Sequence, residues 1–170
     1  HAAVEVPAAI TMEECWALVE TSERTRKHCM MLENTCYDFF ELMTLNMVRQ
    51  GFFGDIVHCE GAYIHDFIPS IFSKKKWNMW RYRHNASRNG NLYPTHGLGP
   101  ICQAMNINRG DRLDFLVSVS SKDFVLGEMT AKLAEEDDTY KEFVGKPFRG
   151  NMNVTTIKTK KGSTIMLQHD

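Results

Sequence analysis

This 170-residue sequence has no CxxC pair, no H-E-x-x-H or comparable ligand spacing, no apolar run near 18 residues and almost no net charge. Each absence removes a class of function. Five cysteines, at positions 15, 29, 36, 59 and 102, are an odd number without motif spacing, which argues against a disulfide framework and a structural zinc site. Most of them read as buried small apolar residues. The seven histidines are scattered, so no metal is expected, and the lack of a long apolar stretch leaves no membrane-spanning helix to expect. A net charge of −1 offers no basic face to a nucleic acid; the one basic run, Lys74-Lys75-Lys76, is followed by Trp77 and Trp80 and reads as a solvated loop. A start methionine and a leader are also lacking. The opening His1-Ala2-Ala3-Val4-Glu5-Val6-Pro7 reads as the middle of a buried strand, and the chain as a piece of a longer protein.

What is present is an ordinary globular composition, 43% hydrophobic and 24% charged, in a chain long enough for a real core. Residues 2–6 form a short apolar strand closed by Pro7. Thr11 with Glu14 three residues on is a capping box, opening a helix that carries Met12, Cys15, Trp16 and Val19 on one face. The helix ends in Arg24, Arg26 and Lys27, where positive charge suits the dipole. Cys29-Met30-Met31-Leu32 is a second strand. Strand, helix and strand within about 30 residues make a βαβ unit with parallel strands, and ligands in such sheets sit at the carboxyl ends of the strands. Those ends are Glu5-Val6-Pro7 and Glu33-Asn34.

Asp38 with Glu41 is a second possible capping box, starting a helix with Phe40, Met43 and Met47 inward in the core and stopping near Gly51 or Gly54. Residues 55–64 read as a strand whose far end gathers Glu60, Tyr63, His65 and Asp66. Residues 67–90 are aromatic and basic without a clear period, which predicts an ordered loop with at most one helical turn. Leu113, Phe115, Val117 and Val119 alternate along a half-buried strand, and the acidic stretch 123–145 reads as a partly helical surface insertion. Residues 151–159 and 163–169 are strands of a hairpin joined at Lys160-Lys161-Gly162. No internal repeat is visible. The fold class is α/β, with the end of a Rossmann-like domain over residues 1–37 and an α+β domain with a mainly antiparallel open sheet over residues 38–170.

One stretch concentrates reactive groups. Tyr93, Pro94, Thr95 and His96 place a phenol, a hydroxyl and an imidazole in four residues, and Leu98, Ile101, Cys102 and Met105 continue with helical spacing. They stand at a helix start, where free backbone N–H groups and the positive dipole end suit an oxygen-rich ligand. Two glycines and a proline there are also ordinary punctuation, and a lone histidine often serves as a cap.

Together with Glu5-Val6-Pro7, Met31-Leu32-Glu33-Asn34-Thr35-Cys36-Tyr37-Asp38, Glu60-Gly61-Ala62-Tyr63-Ile64-His65-Asp66, Trp80-Arg81-Tyr82-Arg83 and Thr159-Lys160-Lys161-Gly162, the stretch from Gly90 to Pro100 resembles the family-109 glycosidases. These are NAD-dependent α-N-acetylgalactosaminidases of the Gfo/Idh/MocA oxidoreductase-like superfamily. The resemblance implies NAD as cofactor, a carbohydrate substrate with terminal α-linked N-acetylgalactosamine, a homo-oligomer formed through the open sheet, and export to the periplasm in many bacterial members. It also implies a Gly-rich dinucleotide loop upstream of Glu5 and further sheet downstream of Asp170, so residues 1–170 alone would be inactive.

Most glycosidases use two carboxylates, and the NAD-dependent ones are an exception. In that chemistry a hydride leaves C3 of the sugar for the nicotinamide, the ketone acidifies the C2 proton, the aglycone leaves C1, water adds and the hydride returns. The resemblance assigns His96 as the base or the acid/base partner of the C3 hydroxyl, a task that suits imidazole at neutral pH, with Tyr93 as relay or orienting group. It places Glu5, Val6 and Asn34 against NAD, and Tyr63, Arg81, Tyr93, Pro94, Thr95 and His96 against the sugar. Val6 stands where the wider superfamily often has a redox lysine, which favours the glycosidase branch over the alternative of a sugar oxidoreductase; a non-catalytic oligomerisation domain is the other alternative. Competing structural readings are a strand-end cap for Asn34 and an ion pair of Arg81 with Asp66 or Glu60. His65 and Asp66, whose side chains leave a strand on opposite faces, read as structural.

Overall fold

The structure, a computed structural model, describes residues 1–75 and 77–170, with Trp77 through its backbone alone; Lys76 of the basic run and the side chain of Trp77 lie outside the described residues. The chain opens with the βαβ unit that its periodicity predicts. Strand β1 (Ala2–Glu5) pairs in parallel with β2 (Cys29–Leu32), and helix α1 (Met12–Thr25) connects them. The capping box is formed: Glu14 N donates to Thr11 Oγ1 and Thr11 N to Glu14 Oε2, both at 3.2 Å.

Burial in this unit departs from expectation. No side chain of α1 is buried, and Met12 and Trp16 are 67% and 59% exposed. The strand expected to be buried is likewise open as far as Glu5, and only Val6 behind it is buried. Two strands and a helix cover one another on one side only, and an apolar face needs a further layer to close over it. Cysteine burial fails for the same reason: Cys15 and Cys29 are exposed, Cys59 and Cys102 intermediate, and Cys36 alone is buried.

A 3₁₀ turn over Asn34–Tyr37 leads into α2 (Phe39–Arg49). Asp38 occupies the N-cap position without a side-chain cap bond, so the second capping box is not made. Leu45 is the buried residue of α2, whereas Phe40 and Met43, expected inside, are exposed. They lie roughly 140–160° around the helix from Leu45 at 100° per residue, and the packed stripe is the narrow one facing the next helix.

The main sheet runs β3 (His58–Tyr63), β6 (Thr164–His169), β5 (Asn153–Thr159), β4 (Leu113–Ser120). The β3/β6 pair is parallel and the other two pairs are antiparallel, with the hairpin at Lys160–Gly162 as expected. Helix α5 (Thr95–Ala104) covers the sheet, packing Ile101 and Leu98 against Ile157, Ile165 and Leu167. Strand β4 alternates as its sequence predicts but is not half-buried: Phe115, Val117 and Val119 are 57%, 58% and 65% exposed. It is the edge strand, and these three side chains pair with Lys158, Thr156 and Val154 on the sheet face opposite to Ile157, the face that α5 covers.

The segment 67–90, expected as a loop, holds α3 (Ile68–Ile71), a 3₁₀ turn at Trp77–Met79 and α4 (Trp80–Asn85). The acidic stretch is not a surface insertion. Helix α6 (Leu126–Glu136) and the 3₁₀ turn Asp138–Phe143 put Leu126, Ala134, Tyr140 and Phe143 into a core with Phe72, Met79, Tyr82, Ala86 and Phe148. The acids face outward, where Asp137 pairs with Lys74. Tyr82 is wholly buried and its hydroxyl meets Thr130 Oγ1 at 2.8 Å, satisfying a polar group that burial would otherwise penalise. Among the described residues no helix is long and apolar enough to cross a membrane, and no group of His, Cys, Asp and Glu is placed to hold a metal ion.

Candidate active site

The site forms where α5 begins above the carboxyl end of β3, and glycine decides how closely they meet. A Cβ at Gly61 would stand 2.9 Å from Gly97 Cα, and one at Gly97 would stand 3.1 Å from the Gly61 carbonyl carbon. With hydrogens on both sides the helix settles directly on the strand. Three rings then converge: Tyr63 to Tyr93 at 4.8 Å between centroids, Tyr93 to His96 at 4.9 Å and Tyr63 to His96 at 5.3 Å. The Tyr93 hydroxyl donates to the Val6 carbonyl at 3.1 Å, tying this cluster to the end of β1. Burial raises the Tyr93 phenol above its ordinary pKa, which keeps it a proton donor.

Arg81 reaches in from α4. Its guanidinium lies over the rings of Trp80, Tyr93 and Phe67 at 4.6, 5.0 and 5.1 Å, and Nη2 is 3.5 Å from the Tyr63 hydroxyl. Glu60, expected beside Tyr63, instead meets His58 at 3.3 Å on an exposed part of the strand. Pro94 holds the N-cap position of α5, and the Thr95 hydroxyl is buried without a hydrogen-bond partner among the described residues.

Glu33 is the residue that sequence reasoning left out. Its Oε1 lies 2.5 Å from His96 Nδ1, with 6% of the Glu33 side chain and 18% of the His96 side chain exposed. Thr35 adds its backbone N–H at 3.2 Å, and its hydroxyl lies 2.8 Å from the same oxygen and 3.0 Å from the His96 carbonyl oxygen. Burial works to raise the Glu33 carboxyl, but the hydrogen bonds from His96 and Thr35 outweigh it and leave its pKa below the usual value. An ionised carboxylate only accepts, so His96 Nδ1–H is the donor, and in the neutral ring it is Nε2 that carries the lone pair. This tautomer suits a general base. Gly99 permits the contact, since a Cβ there would stand 2.8 Å from Glu33 Cγ. The available signal was position: Glu33 follows β2, at the carboxyl end where ligands of parallel strands gather.

The expected cofactor residues stand beside this cluster. Register sets Glu5 against Leu32, so Glu5-Val6 and Glu33-Asn34 are neighbouring strand ends. Val6 is buried with Tyr63 and Tyr93, whereas Glu5 and Asn34 are exposed and outside the ring cluster. Glu33 Oε2 is buried without a partner among the described residues, an acceptor left over at this junction. On the other side of Arg81 and Tyr93 lies a cavity of about 420 Å³. His65 and Asp66 line it, and the His65 ring sits 4.5 Å from that of Tyr63. Arg149 and His169 also line it. Burial and the charge of Arg149 push His169 down to about 4, so its imidazole is neutral at pH 7. Neither residue carried a sequence signal, being single polar residues in a loop and at a strand end.

A family model, glycosyl hydrolase 109, C-terminal domain, matches residues 37–170. An alpha-N-acetylgalactosaminidase of Bacteroides fragilis is 51% identical over 174 residues, spanning the whole of this chain and 40% of that protein. A glycosyl hydrolase family 109 protein of Shewanella sp. strain ANA-3 is 53% identical over 171 residues, again along the whole chain and over 37% of the relative. The chain thus spans about two fifths of the length of the curated relatives it matches. Among solved structures, an inositol dehydrogenase homolog complexed with NAD⁺ from Azotobacter vinelandii aligns at TM-score 0.70 and 16% identity, over 99% of this chain and 39% of that one. A scyllo-inositol dehydrogenase from Lactobacillus casei with bound NAD(H) and scyllo-inositol aligns at 0.65 and 13%, over 100% and 44%. At 13–16% identity these likenesses establish the fold alone, one shared with the two dehydrogenases. Sequence identity of half along its full length, and a family model over most of it, make this chain a member of glycosyl hydrolase family 109.

Proposed function

We propose that this chain supplies the substrate side of an NAD-dependent glycosidase that releases terminal α-linked N-acetylgalactosamine. The observation that carries the reading is the Glu33–His96 pair, held beside Tyr93 and Arg81 at the ends of parallel strands. Arg81 and the Tyr63 hydroxyl bind and orient the sugar, while the ring cluster excludes water. His96 Nε2 takes a proton at the C3 hydroxyl or at C2, and Glu33 stabilises the imidazolium so formed. The buried Tyr93 phenol, fixed to the Val6 carbonyl, orients or relays that proton. NAD, when bound, supplies reversible hydride exchange at C3, so the sugar is oxidised and later reduced with no net redox change. Glu5, Val6, Asn34 and the leftover Glu33 Oε2 are the residues that would hold it. Val6 brings no charge where a redox lysine would compete for the proton.

In this reading residues 1–37 close the cofactor domain and residues 38–170 carry the substrate, consistent with the reach of the family model. The uncovered β4 face, with Phe115, Val117 and Val119, takes a second copy of the chain; sedimentation of the whole protein should show a dimer that Val117→Glu shifts to monomer, and an unchanged mass would remove this assignment. The test of the activity is the whole protein loaded with NAD⁺ and offered p-nitrophenyl α-N-acetylgalactosaminide in deuterated water. Sugar should be released with deuterium at C2 and without net NADH. Stoichiometric NADH from free sugar, or release with C2 unlabelled, would overturn it.

A further inference from the structure

The cavity at the carboxyl ends of β3 and β6 holds polar groups that the proposed reaction does not use. Arg149 is 3% exposed and His169 is 7% exposed, yet both line this space. Arg149 is fastened to α4: its Nε donates to Asn85 Oδ1 at 2.9 Å and its backbone N–H to the Asn85 carbonyl at 2.8 Å. Asn85 Nδ2 in turn donates to the Arg81 carbonyl at 2.8 Å, so the arginine of the ring cluster and the arginine of the cavity share one rigid support.

Among the described residues Arg149 Nη1 is buried with no hydrogen-bond partner, and so is His169 Nδ1. Among the described residues no carboxylate comes within ion-pairing distance of Arg149. Leaving a buried donor unsatisfied costs on the order of 1–3 kcal/mol, more when it is charged, so a retained one inside a cavity marks a place for a ligand oxygen. The volume of about 420 Å³ falls within the range of small-molecule sites.

The lining decides what fits. Asp66 and Asp170 balance the charges of Arg81 and Arg149, and His169 is neutral at pH 7, so the cavity does not select an anion. Phe67, Trp80 and Leu126 give it apolar and aromatic walls, on which the C–H face of a pyranose can rest while its hydroxyls meet the polar floor. Arg81 and Tyr93 face both this cavity and the ring cluster, whereas His96 lines only the latter. An occupant therefore sits next to the reacting sugar and not on it.

We propose that this cavity is a second saccharide subsite, which holds the neutral sugar unit adjoining the one that reacts, with Arg149 as the charged donor to one of its oxygens. The proposal rests on the glycosidase reading and names the chemical class on its leaving side. Its test uses binding and turnover in parallel on the whole NAD-loaded protein. Titration calorimetry should show a non-cleavable disaccharide substrate analogue binding about 10-fold or more tighter than N-acetylgalactosamine, the contribution of one charge-assisted hydrogen bond. In Arg149→Gln that advantage should disappear, and the ratio of kcat/KM for a disaccharide glycoside over a p-nitrophenyl glycoside should collapse through KM. If the variant fails to fold, the comparison of ligands on the unaltered protein decides alone. Equal binding of disaccharide and monosaccharide, or an unchanged ratio in a folded Arg149→Gln, would overturn the subsite. Loss of all turnover with the binding difference intact would instead count against the glycosidase reading.

Discussion

Replacing His96 by alanine is expected to lower kcat of the whole NAD-loaded protein about 10²–10⁴-fold, the usual worth of one positioned acid/base group. The reason is the pairing with Glu33. With the carboxylate accepting from Nδ1–H at 2.5 Å, the imidazole is locked in the tautomer whose Nε2 can take a proton. Glu33→Gln offers a test that a merely structural role would not satisfy. Glutamine can still accept from Nδ1–H, so the ring stays oriented, but the imidazolium loses its negative partner. kcat should fall with KM little changed, because the imidazolium formed during turnover is no longer stabilised by a negative partner. Glu33 also sets an acid limit of its own: its pKa is lowered in the folded chain, so its contribution to stability is complete above the ordinary value of 4.5 and is lost as pH falls through the lowered one. Steady-state kinetics of the two variants across pH would check this. Wild-type turnover by His96→Ala, or an unchanged kcat in Glu33→Gln, would assign the base elsewhere.

The second large effect is expected at Gly61. Its Cβ would meet the backbone of Gly97, 2.9 Å from Cα, 2.9 Å from O and 3.0 Å from C, so no side chain can move aside. Gly61→Ala must push α5 off β3. Overpacking of this kind costs about 1–3 kcal/mol, a fall of roughly 2–12 °C in melting temperature at the 2–4 °C per kcal/mol of a domain this size. The catalytic loss should be greater than the stability loss suggests. His96 and its contact to Glu33 ride on the first turn of α5, with Tyr93 just before it, and a misplacement near 1 Å costs about 100-fold in rate. Gly97→Ala should act in the same direction but more mildly, since its Cβ contacts begin at 3.1 Å. Calorimetry and kinetics together would settle the matter: a Gly61→Ala protein with unchanged melting temperature and turnover would mean that the close approach does not seat the site.

Short-range chemistry wrote much of this fold into the chain. The Thr11–Glu14 capping box, the hairpin at Lys160–Gly162 and the start of α5 at Thr95 each depend on residues within a few positions of one another, the parallel strands around α1 on residues such as Ala2 and Cys29 joined by a single helix, and each stands where it was expected. Pro94, Thr95 and His96 likewise stand at the helix start that their sequence predicts, where backbone polar groups are left for ligands. What the sequence could not decide was covering. Periodicity says which face of an element is apolar and not whether another layer lies over it, so α1, Phe40 and β4 are open while the acidic segment of α6 shelters the largest core. Nor could it decide partners across long separations. Glu33 and His96 are 63 residues apart, and Asn85 and Arg149 are 64. Those pairs exist because two glycines let a helix rest on a strand and a buried arginine is tied to the helix beside it, distances that only the packed tertiary structure fixes.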